Sequence, residues 1–328
     1  MKRISLELGS GGRLMRDFIA GRILPSFRNA VLDELGDAAL LPGKIAFTTD
    51  SYVVDPLFFP GGDIGKLAVN GTVNDLIVSG AAPRFLSLGL ILEEGLEEET
   101  LDRVLGSIAR AARKARVTIA TGDTKVVRKG QGDKIYVNTA GIGAAVGRPA
   151  PGRIRRGDKV ILTGTLGDHS LAVLAARGDF GLRTKARSDC APLLFLLPLW
   201  KRGALWMRDV TRGGLATVLS ELAAGLPHPV LIEETRIPLS RAVRGASELL
   251  GIDPLYMACE GKAVIVAPAR RAVEFVNRLR KDPLGRKAAV IGEVQDKVGK
   301  AGELLLATAS GGLRRLEPLT SELLPRIC

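Results

Sequence analysis

Short apolar runs alternate with helical patterns along the whole chain, and this alternation limits the possible folds more than any other feature. The clearest helix is predicted over residues 97–115, where apolar residues recur every three or four positions between an acidic start and a basic end. Runs typical of β-strands lie around it, at 45–49, 85–92, 117–120 and 135–140. Strands that alternate with helices indicate an α/β fold of mixed type.

A segment rich in Gly, Pro and Arg, residues 147–157, interrupts this pattern and is typical of a domain boundary. The chain has 328 residues, about twice the length of a typical domain. After the boundary the pattern resumes, with a helix at about 170–177 and strands at 229–232, 263–267, 288–294 and 303–307. We predict three parts: 1–150, 151–310 and an extended, flexible tail at 311–328.

The composition excludes several classes of protein. Hydrophobic residues make up 46% of the chain, which is enough for a folded core. No apolar run reaches the roughly 18 residues of a membrane span, and no apolar segment of a secretory signal follows the amino terminus. Three scattered cysteines suit neither a disulfide framework nor a zinc site. We predict a cytoplasmic protein with no membrane partner.

The net charge of +12 has two interpretations. A nucleic-acid binder would cluster its basic residues and interleave aromatic residues for stacking, but aromatic residues make up only 4% of the chain. A basic surface that attracts small anions such as nucleotides fits this composition better. We therefore predict no nucleic-acid partner.

Three aspartates of the first part, Asp50, Asp75 and Asp123, lie at or near the ends of predicted strands. Carboxylates in such positions, beside glycine, suit a hard cation such as Mg²⁺ that bridges phosphate oxygens. A single aspartate there is more commonly a helix cap or a turn residue, and that alternative stays open for each. The presence of three together favours a metal site.

Glycine-rich segments occur at 9–12, 61–66 and 212–214. Glycine lets backbone N–H groups approach a phosphate closely, and a following helix adds a favourable dipole. None of the three matches the P-loop or the dinucleotide fingerprint, and purely steric roles are equally compatible with each. Lys66 either reaches a phosphate with its long side chain or is an ordinary solvated residue of a helix.

The last residue, Cys328, is a cysteine at the end of the predicted tail. A thiol on an extended tail is accessible and can be moved between sites. A prenylation signal would need cysteine four residues from the end, which is not the case here. A terminal cysteine without a function is the open alternative.

A set of segments, taken in order, carries a family resemblance. They are residues 9–12, 49–62, 74–75, 85–95, 121–127, 138–141, 164–169, 208–214, 260–262 and 325–328. The ending Pro-Arg-Ile-Cys is the most specific of them. With these segments the chain resembles the HypE family of nickel–iron hydrogenase maturation factors, a branch of the aminoimidazole ribonucleotide synthetase-like superfamily.

The resemblance implies a two-domain fold in which the first domains of two chains pair into a barrel-like dimer, with the nucleotide near the subunit interface. It also implies a reaction. A partner carbamoyltransferase, HypF, carbamoylates the terminal thiol, and ATP then drives dehydration of the S-carboxamide to a thiocyanate. The cyanide passes to iron on a HypC–HypD complex.

Roles for individual residues follow from the same resemblance. Lys125 and Glu260 are implied to handle protons, although Lys125 could instead pair with a phosphate and Glu260 with Lys262. The residues implied to hold magnesium are Asp50, Asp75 and Asp123. Those implied to lie near the nucleotide are Gly9, Ser10, Gly11, Gly12, Lys66 and Asn74.

Two positions depart from the family pattern. Leu8 stands where a histidine is usual, and Cys259 stands where asparagine is common before the glutamate. Two other functions also remain open. The chain could be an ATP-dependent small-molecule kinase or synthetase of the same superfamily, or a thiol carrier without catalysis.

Overall fold

Two mixed β-sheets, one in each half of the chain, form the framework of the fold. The computed structural model describes residues 3–9, 11–320 and 327–328. The strands of the first half are β1 (Ala39–Leu41), β2 (Ile45–Tyr52), β3 (Phe58–Phe59), β4 (Gly62–Asp63), β5 (Ala81–Glu93), β6 (Thr118–Val127) and β7 (Ile135–Ala145). β3 and β4 pair with each other, and the other five form a sheet in the order β1-β2-β7-β5-β6. Only β5 and β6 run parallel.

One long helix fixes the first sheet against the second half. The helices of the first half are α1 (Arg13–Phe18), α2 (Leu24–Phe27), α3 (Ile64–Val78) and α4 (Glu98–Ala115). α3 begins at Asp63, whose carboxylate accepts a hydrogen bond from the Lys66 N–H at 3.0 Å. α3 is buried on nearly all sides because it packs between the sheet, α4 and the second half of the chain.

The second half also combines helices with a mixed β-sheet, which is larger than the first. Its helices are α5 (Asp168–Arg177), α6 (Leu197–Trp200), α7 (Gly214–Ala224), α8 (Arg241–Leu250) and α9 (Ala269–Leu279). Its strands are β8 (Lys159–Leu162), β9 (Trp206–Asp209), β10 (Val230–Glu233), β11 (Ala263–Ala267), β12 (Ala289–Val294), β13 (Leu304–Ala307) and β14 (Leu313–Leu316). They are ordered β14-β13-β10-β12-β8-β11-β9. β9 is an edge strand of this sheet, and α3 packs against it.

A continuous apolar core joins the two halves. One buried cluster contains residues of α3 and α4 together with residues of α6, α9, β8 and β11. Polar side chains cross the same boundary: Trp200 donates its Nε1–H to the carbonyl of Ile77 at 2.8 Å. The halves are thus packed together as one body, and clefts between them have fixed walls.

The face of the first sheet that points away from α3, called the outer face below, carries exposed apolar side chains. Phe47, Ile142 and Phe85 lie in one row across β2, β7 and β5. Each of these side chains is between 41% and 49% exposed. A row of large apolar side chains is ordinarily buried in a core, whereas this one faces solvent. The edge strand β6 is exposed along almost its whole length.

The predicted helices and strands are confirmed, apart from their boundaries; residues 321–326 of the predicted tail lie outside the described residues. The helix expected at 97–115 spans Glu98–Ala115, and the strand expected at 45–49 extends to Tyr52. The predicted tail begins differently, because Leu313–Leu316 pairs with β13 as β14 after a turn that contains Gly311 at φ +88°. Within the described residues, no helix is both long and apolar enough to cross a membrane.

Candidate active site

A large cavity lies between the two halves, where α1, α3 and β2 face β9 and α7. Its volume is about 850 Å³. Its lining includes Gly11, Gly12, Asp50, Asp75 and Arg212, and Arg212 packs directly against Gly11. A space of this size between two rigid units is typical of a small-molecule site.

Three carboxylates meet in this cavity. Asp37 precedes β1, Asp75 lies on α3 and Asp209 ends β9, and each offers an oxygen within 4.8 Å of the other two. The Thr48 hydroxyl lies 3.1 Å from Asp75 Oδ2 and 2.7 Å from the Asp37 carbonyl oxygen, which fixes their relative positions. Carboxylate oxygens are the preferred ligands of hard divalent cations, so this cluster could hold one.

The electrostatics of the cluster favour a bound cation. Burial, followed by repulsion from Asp37, raises the pKa of Asp209 to about 8, although Arg208 opposes this. Burial and the charges of Asp50 and Asp209 also raise the pKa of Asp75 well above its ordinary value. Without a cation the cluster therefore keeps protons near neutral pH, and a cation would take their place.

Arg208 anchors one side of the cluster. Its guanidinium lies 2.9 Å from Asp37 and 2.7 Å from Glu221, and these two carboxylates raise its pKa above the ordinary arginine value. It thereby holds the loop before β1 against β9 and α7. One of the three clustered carboxylates, Asp37, is therefore already paired with the Arg208 cation, and Asp75 and Asp209 lie beside it.

The last two residues of the chain lie beside this cavity. The backbone carboxylate oxygen of Cys328 accepts a hydrogen bond from the Val53 N–H at 3.4 Å, and the Ile327 side chain is buried. Burial raises the pKa of the Cys328 thiol to about 12; Arg212 opposes this, whereas Glu260 and Asp50 reinforce it. Both Arg212 and Asp50 line the cavity. The sulfur therefore lies within electrostatic range of residues that line the cavity.

Glu260 is a buried carboxylate with the properties of an acid–base group. It is 3% exposed, and its Oε1 has no hydrogen-bond partner among the described residues. Burial raises its pKa well above the ordinary value, reinforced by Asp209 and opposed by Arg212. A carboxylate with a pKa moved toward neutral and a free oxygen is suited to exchange a proton with a ligand. It forms no ion pair with Lys262, which pairs instead with Asp189 at 3.3 Å.

Family models match both halves of the chain. Residues 35–145 match the N-terminal domain, and residues 155–304 the C-terminal domain, of AIR synthase related proteins. The carbamoyl dehydratase HypE of Rhodobacter capsulatus is 46% identical over 337 residues, which cover 100% of this chain and 98% of that protein. The chain belongs to the HypE family. The Escherichia coli K12 member is 45% identical over 340 residues and is covered completely.

Solved structures of HypE proteins have the same fold. A HypE structure in complex with ATP is 45% identical and superposes with a TM-score of 0.83, covering 99% of this chain and 100% of that one. The HypE chain of a HypE–HypF complex is 40% identical with a TM-score of 0.87, covering 92% and 99%. A thiamine monophosphate kinase of Aquifex aeolicus, at 19% identity and a TM-score of 0.70 with 93% and 100% covered, shares the fold alone. The predicted family and two-domain α/β fold are confirmed.

The predicted nucleotide residues of this HypE-family chain separate into two groups. Gly11 and Gly12 line the cavity, and Gly12 leaves no room for a side chain because Leu319 packs on it. Gly9 is not among the lining residues described, and Ser10 lies outside the described residues.

The other two predicted nucleotide residues lie away from the cavity wall. Lys66 lines a separate cleft of about 410 Å³ and donates to the Gly61 carbonyl at 2.6 Å. Asn74 is 1% exposed; it donates to the Ala191 carbonyl at 3.1 Å and accepts from the Leu193 N–H at 2.9 Å. Its hydrogen bonds tie α3 to the second half, which indicates a structural role.

Within one chain, Asp123 and Lys125 do not reach the cluster. Asp123 lies in a row with Gly89, Asn138 and Ser51 across the first sheet, three strand spacings or about 14 Å from β2. Asp50 is the neighbour of Ser51 and so points to the opposite face. Asp123 and Lys125 pair with each other at 2.9 Å on the exposed side of β6.

The expectation that the aspartates stand at strand ends is wrong, although two of them reach the cavity. Asp75 lies within α3, and Asp50 and Asp123 lie inside β2 and β6. Asp37, Asp209 and Arg212 were not predicted from the sequence. A possible signal was the segment 208–214, which contains two of them, but nothing local shows that it meets α3.

The two departures from the family pattern have different consequences. Cys259 is fully buried, and its sulfur accepts a hydrogen bond from the Gly167 N–H at 3.2 Å. Burial raises its thiol pKa well above the ordinary value, so it serves as a packed acceptor and not as a second reactive thiol. Leu8 lies in a short helical turn, Leu6–Gly9, outside the lining of the cavity as described.

Proposed function

We propose that this protein is an ATP-dependent carbamoyl dehydratase that converts an S-carboxamide on Cys328 into a thiocyanate. The cyanide so formed would become a ligand of iron in nickel–iron hydrogenase. The observation that carries the proposal is the placement of Cys328 beside Glu260, Arg212 and a cavity with clustered carboxylates. HypE relatives named carbamoyl dehydratase, and a HypE structure that contains ATP, support it.

The reaction needs the carboxamide oxygen to become a leaving group. The oxygen attacks the γ-phosphorus of ATP, ADP departs, and the nitrogen loses one N–H proton. The C–O bond then breaks, inorganic phosphate leaves, and loss of the second N–H proton completes the C≡N bond. One oxygen and two hydrogens, the elements of water, are thereby removed. Two protons must be accepted near the sulfur.

Glu260 is the group we assign to the first of these protons. Its unpartnered Oε1 provides an acceptor for an amide N–H, and its raised pKa makes the carboxylate a stronger base than an ordinary glutamate. Arg212 supplies a positive charge on the side of the cavity where phosphate charge develops. Both roles require the docked position of Cys328.

Asp37, Asp75 and Asp209 would hold Mg²⁺, with Asp50 beside them. The donor set fits because all three contribute oxygens and two have strongly raised pKa values that a cation would reverse. When bound, Mg²⁺ neutralises charge on the phosphates of the nucleotide. Gly11 and Gly12 would approach the nucleotide with their backbone.

The binding of MgATP is expected to tighten as the pH rises from about 7 to about 8.5, by up to about tenfold per unit below the cluster pKa. The sign follows from the raised pKa of Asp209, since the proton that it keeps at neutral pH must leave when the cation binds. Isothermal titration in buffers of different ionisation enthalpy would measure both affinity and released protons. An Asp209→Asn variant should lose most of the pH dependence, and a flat wild-type profile would contradict the assignment.

A homodimer would bring Lys125 and Asp123 to a cavity. The exposed row of Phe47, Ile142 and Phe85 and the exposed edge β6 form a surface that a second copy of the chain would cover. Within one chain Lys125 points away from Glu260, so a role in proton transfer requires the partner chain. We therefore propose that each site combines Glu260 of one chain with Lys125 of the other.

Mixing two inactive variants tests this arrangement. Lys125→Ala and Glu260→Gln homodimers are each expected to be inactive, and mixed dimers should regain about a quarter of wild-type activity, because one of two sites in half of the dimers is complete. Dehydration after subunit exchange would be measured by phosphate release. Recovery of activity requires Lys125 to act across the interface. If the subunits are shown to exchange and no activity returns, this role of Lys125 is excluded. Mixing Lys125→Ala with Lys125→Gln is the matched control without rescue.

Partners and location follow from the same proposal. HypF would deliver the carbamoyl group, as a HypE–HypF complex suggests, and a HypC–HypD complex would receive the cyanide. We place the protein in the cytoplasm, without nucleic acid or membrane partners.

The proposal is tested by intact-mass spectrometry after incubation with a carbamoyl donor, HypF and ATP. We expect carbamoylation of Cys328 followed by loss of one water that requires ATP. Carbamoylation followed by no phosphate release would favour a thiol carrier. Full activity toward a free substrate after deletion of residues 325–328 would favour a small-molecule kinase or synthetase.

A further inference from the structure

Residues 327–328, the described end of the chain, have one strong polar anchor outside the groups assigned to chemistry. His169, the second residue of α5, lies with its Nε2 2.6 Å from the carbonyl oxygen of Ile327. The other anchor, from the Val53 N–H to Cys328, is longer at 3.4 Å. His169 is completely buried. The ring therefore fixes the peptide that immediately precedes the reactive cysteine.

The hydrogen bonds around the ring can run in only one direction. A carbonyl oxygen can only accept, so Nε2 must carry the hydrogen that Ile327 receives. Nδ1 then accepts from the Ser188 hydroxyl, 2.9 Å away. The Ser188 oxygen in turn accepts from the Cys190 N–H at 3.1 Å. Every donor in this series has an acceptor, which fixes both the tautomer and the orientation of the ring.

Groups from both halves of the chain hold this series in place. The Ser188 N–H donates to the Pro60 carbonyl at 2.7 Å, and Phe59 packs edge-on against the imidazole with ring centroids 5.4 Å apart. Burial lowers the pKa of His169, while Asp189 and the bond to Ile327 oppose this, so the ring is neutral at neutral pH. A neutral ring therefore presents its Nε2–H to the Ile327 carbonyl oxygen.

We propose that His169 is the positioning residue that holds the carboxy-terminal peptide in the docked state, and so sets the fraction of molecules in which Cys328 lies beside the cavity. It does not touch the reacting carbon, oxygen or nitrogen. For the dehydration step the inference rests on the proposed function. For the docking of the tail it stands on the hydrogen bond alone.

Two substitutions separate the hydrogen bond from the packing. His169→Gln keeps an N–H donor near the position of Nε2, whereas His169→Met fills a similar volume without a donor. The rate at which iodoacetamide modifies Cys328 in the full chain, read by peptide mass, reports undocking. We expect the Met variant to react about fivefold to tenfold faster than wild type and the Gln variant to stay within about twofold. Equal rates for Met and wild type, or for Met and Gln, would overturn the proposal.

The other two cysteines provide the control for folding. Cys190 and Cys259 are buried, so their modification would report a loss of structure and not undocking. If the Met variant exposes them, Ser188→Ala is the alternative probe, because it removes the group that orients the ring. That variant should speed modification of Cys328 by about twofold to fivefold, and an unchanged rate would count against the proposal.

Kinetics connect the anchor to the reaction. The single-turnover rate of phosphate release after carbamoylation should fall in the Met variant in proportion to the docked fraction of Cys328, with the ATP affinity unchanged. If Cys328 is modified faster in the Met variant but the wild-type protein performs no dehydration, the anchoring role of His169 stands and the proposed function is rejected. A fall in ATP affinity equal to the fall in rate would instead indicate a structural defect and overturn the anchor.

Discussion

Replacing Cys328 by serine is expected to abolish formation of the cyanated protein, with a loss of at least about a thousandfold in carbamoylation-dependent phosphate release. A serine oxygen cannot carry a thiocyanate, and it is a far weaker acceptor of the carbamoyl group than a thiol. Serine is no larger than cysteine, so the tail should still dock and the fold should not change. Intact mass and single-turnover phosphate release would measure the loss.

Cys190→Ser is the matched control for this variant. Cys190 is buried, and its sulfur accepts a hydrogen bond from Asn70 at 3.4 Å, which a hydroxyl can replace. Its thiol pKa is raised to about 12, chiefly by burial, so it is not a competing nucleophile. We expect this control to form the cyanated product at a near wild-type rate. The same product from Cys328→Ser would refute the proposed function.

Replacing Asp75 by asparagine is expected to lower MgATP-dependent turnover by at least about a hundredfold and, at the same time, to stabilise the protein without ligand by about 1–3 kcal/mol at pH 8. Turnover falls because a cation loses one of three clustered oxygens. Stability rises because the neutral amide avoids the burial of charge that raises the pKa of Asp75. Phosphate release and urea unfolding at several pH values would measure the two effects.

The pH dependence of the stability gain has a definite sign. A carboxyl group with a raised pKa binds its proton more tightly in the folded state, so the wild-type protein loses stability as the pH rises above about 4 toward that pKa. The variant lacks this loss, and its advantage should vanish at low pH and grow with alkalinity. Asp123→Asn, at an exposed ion pair, should leave the unfolding free energy almost unchanged. Destabilisation of Asp75→Asn at pH 8 would refute the electrostatic account of the cluster.

Local patterns in the sequence predicted the elements but only part of the site. The helix Glu98–Ala115 and the strand at β2 depend on periodicity within one segment, and both were predicted. The cluster depends on how α3 packs against β9, which no local pattern encodes. Asp75 was therefore expected at a strand end but lies on α3, where it lines the cavity, and Asp37 and Asp209 were not predicted.

The resemblance to a family supplied what periodicity could not, but it gave no geometry. Glu260 and Cys328 were named from motifs, and the structure places them close enough for the Glu260 charge to raise the pKa of the Cys328 thiol. Lys125 was named in the same way, yet the register of the sheet points it outward. A list of family residues does not say which chain of an assembly supplies each one.

The apolar core shared by the two halves limits how the chain can be divided. Cutting it near residue 150 would leave Leu193, Leu196 and Leu199 without the α3 side chains that cover them. Neither fragment should be obtainable as a well-behaved recombinant product, and chimaeras that exchange one half between relatives should require compensating changes along the buried seam. The two domains that the family models describe therefore form one structural unit in this molecule.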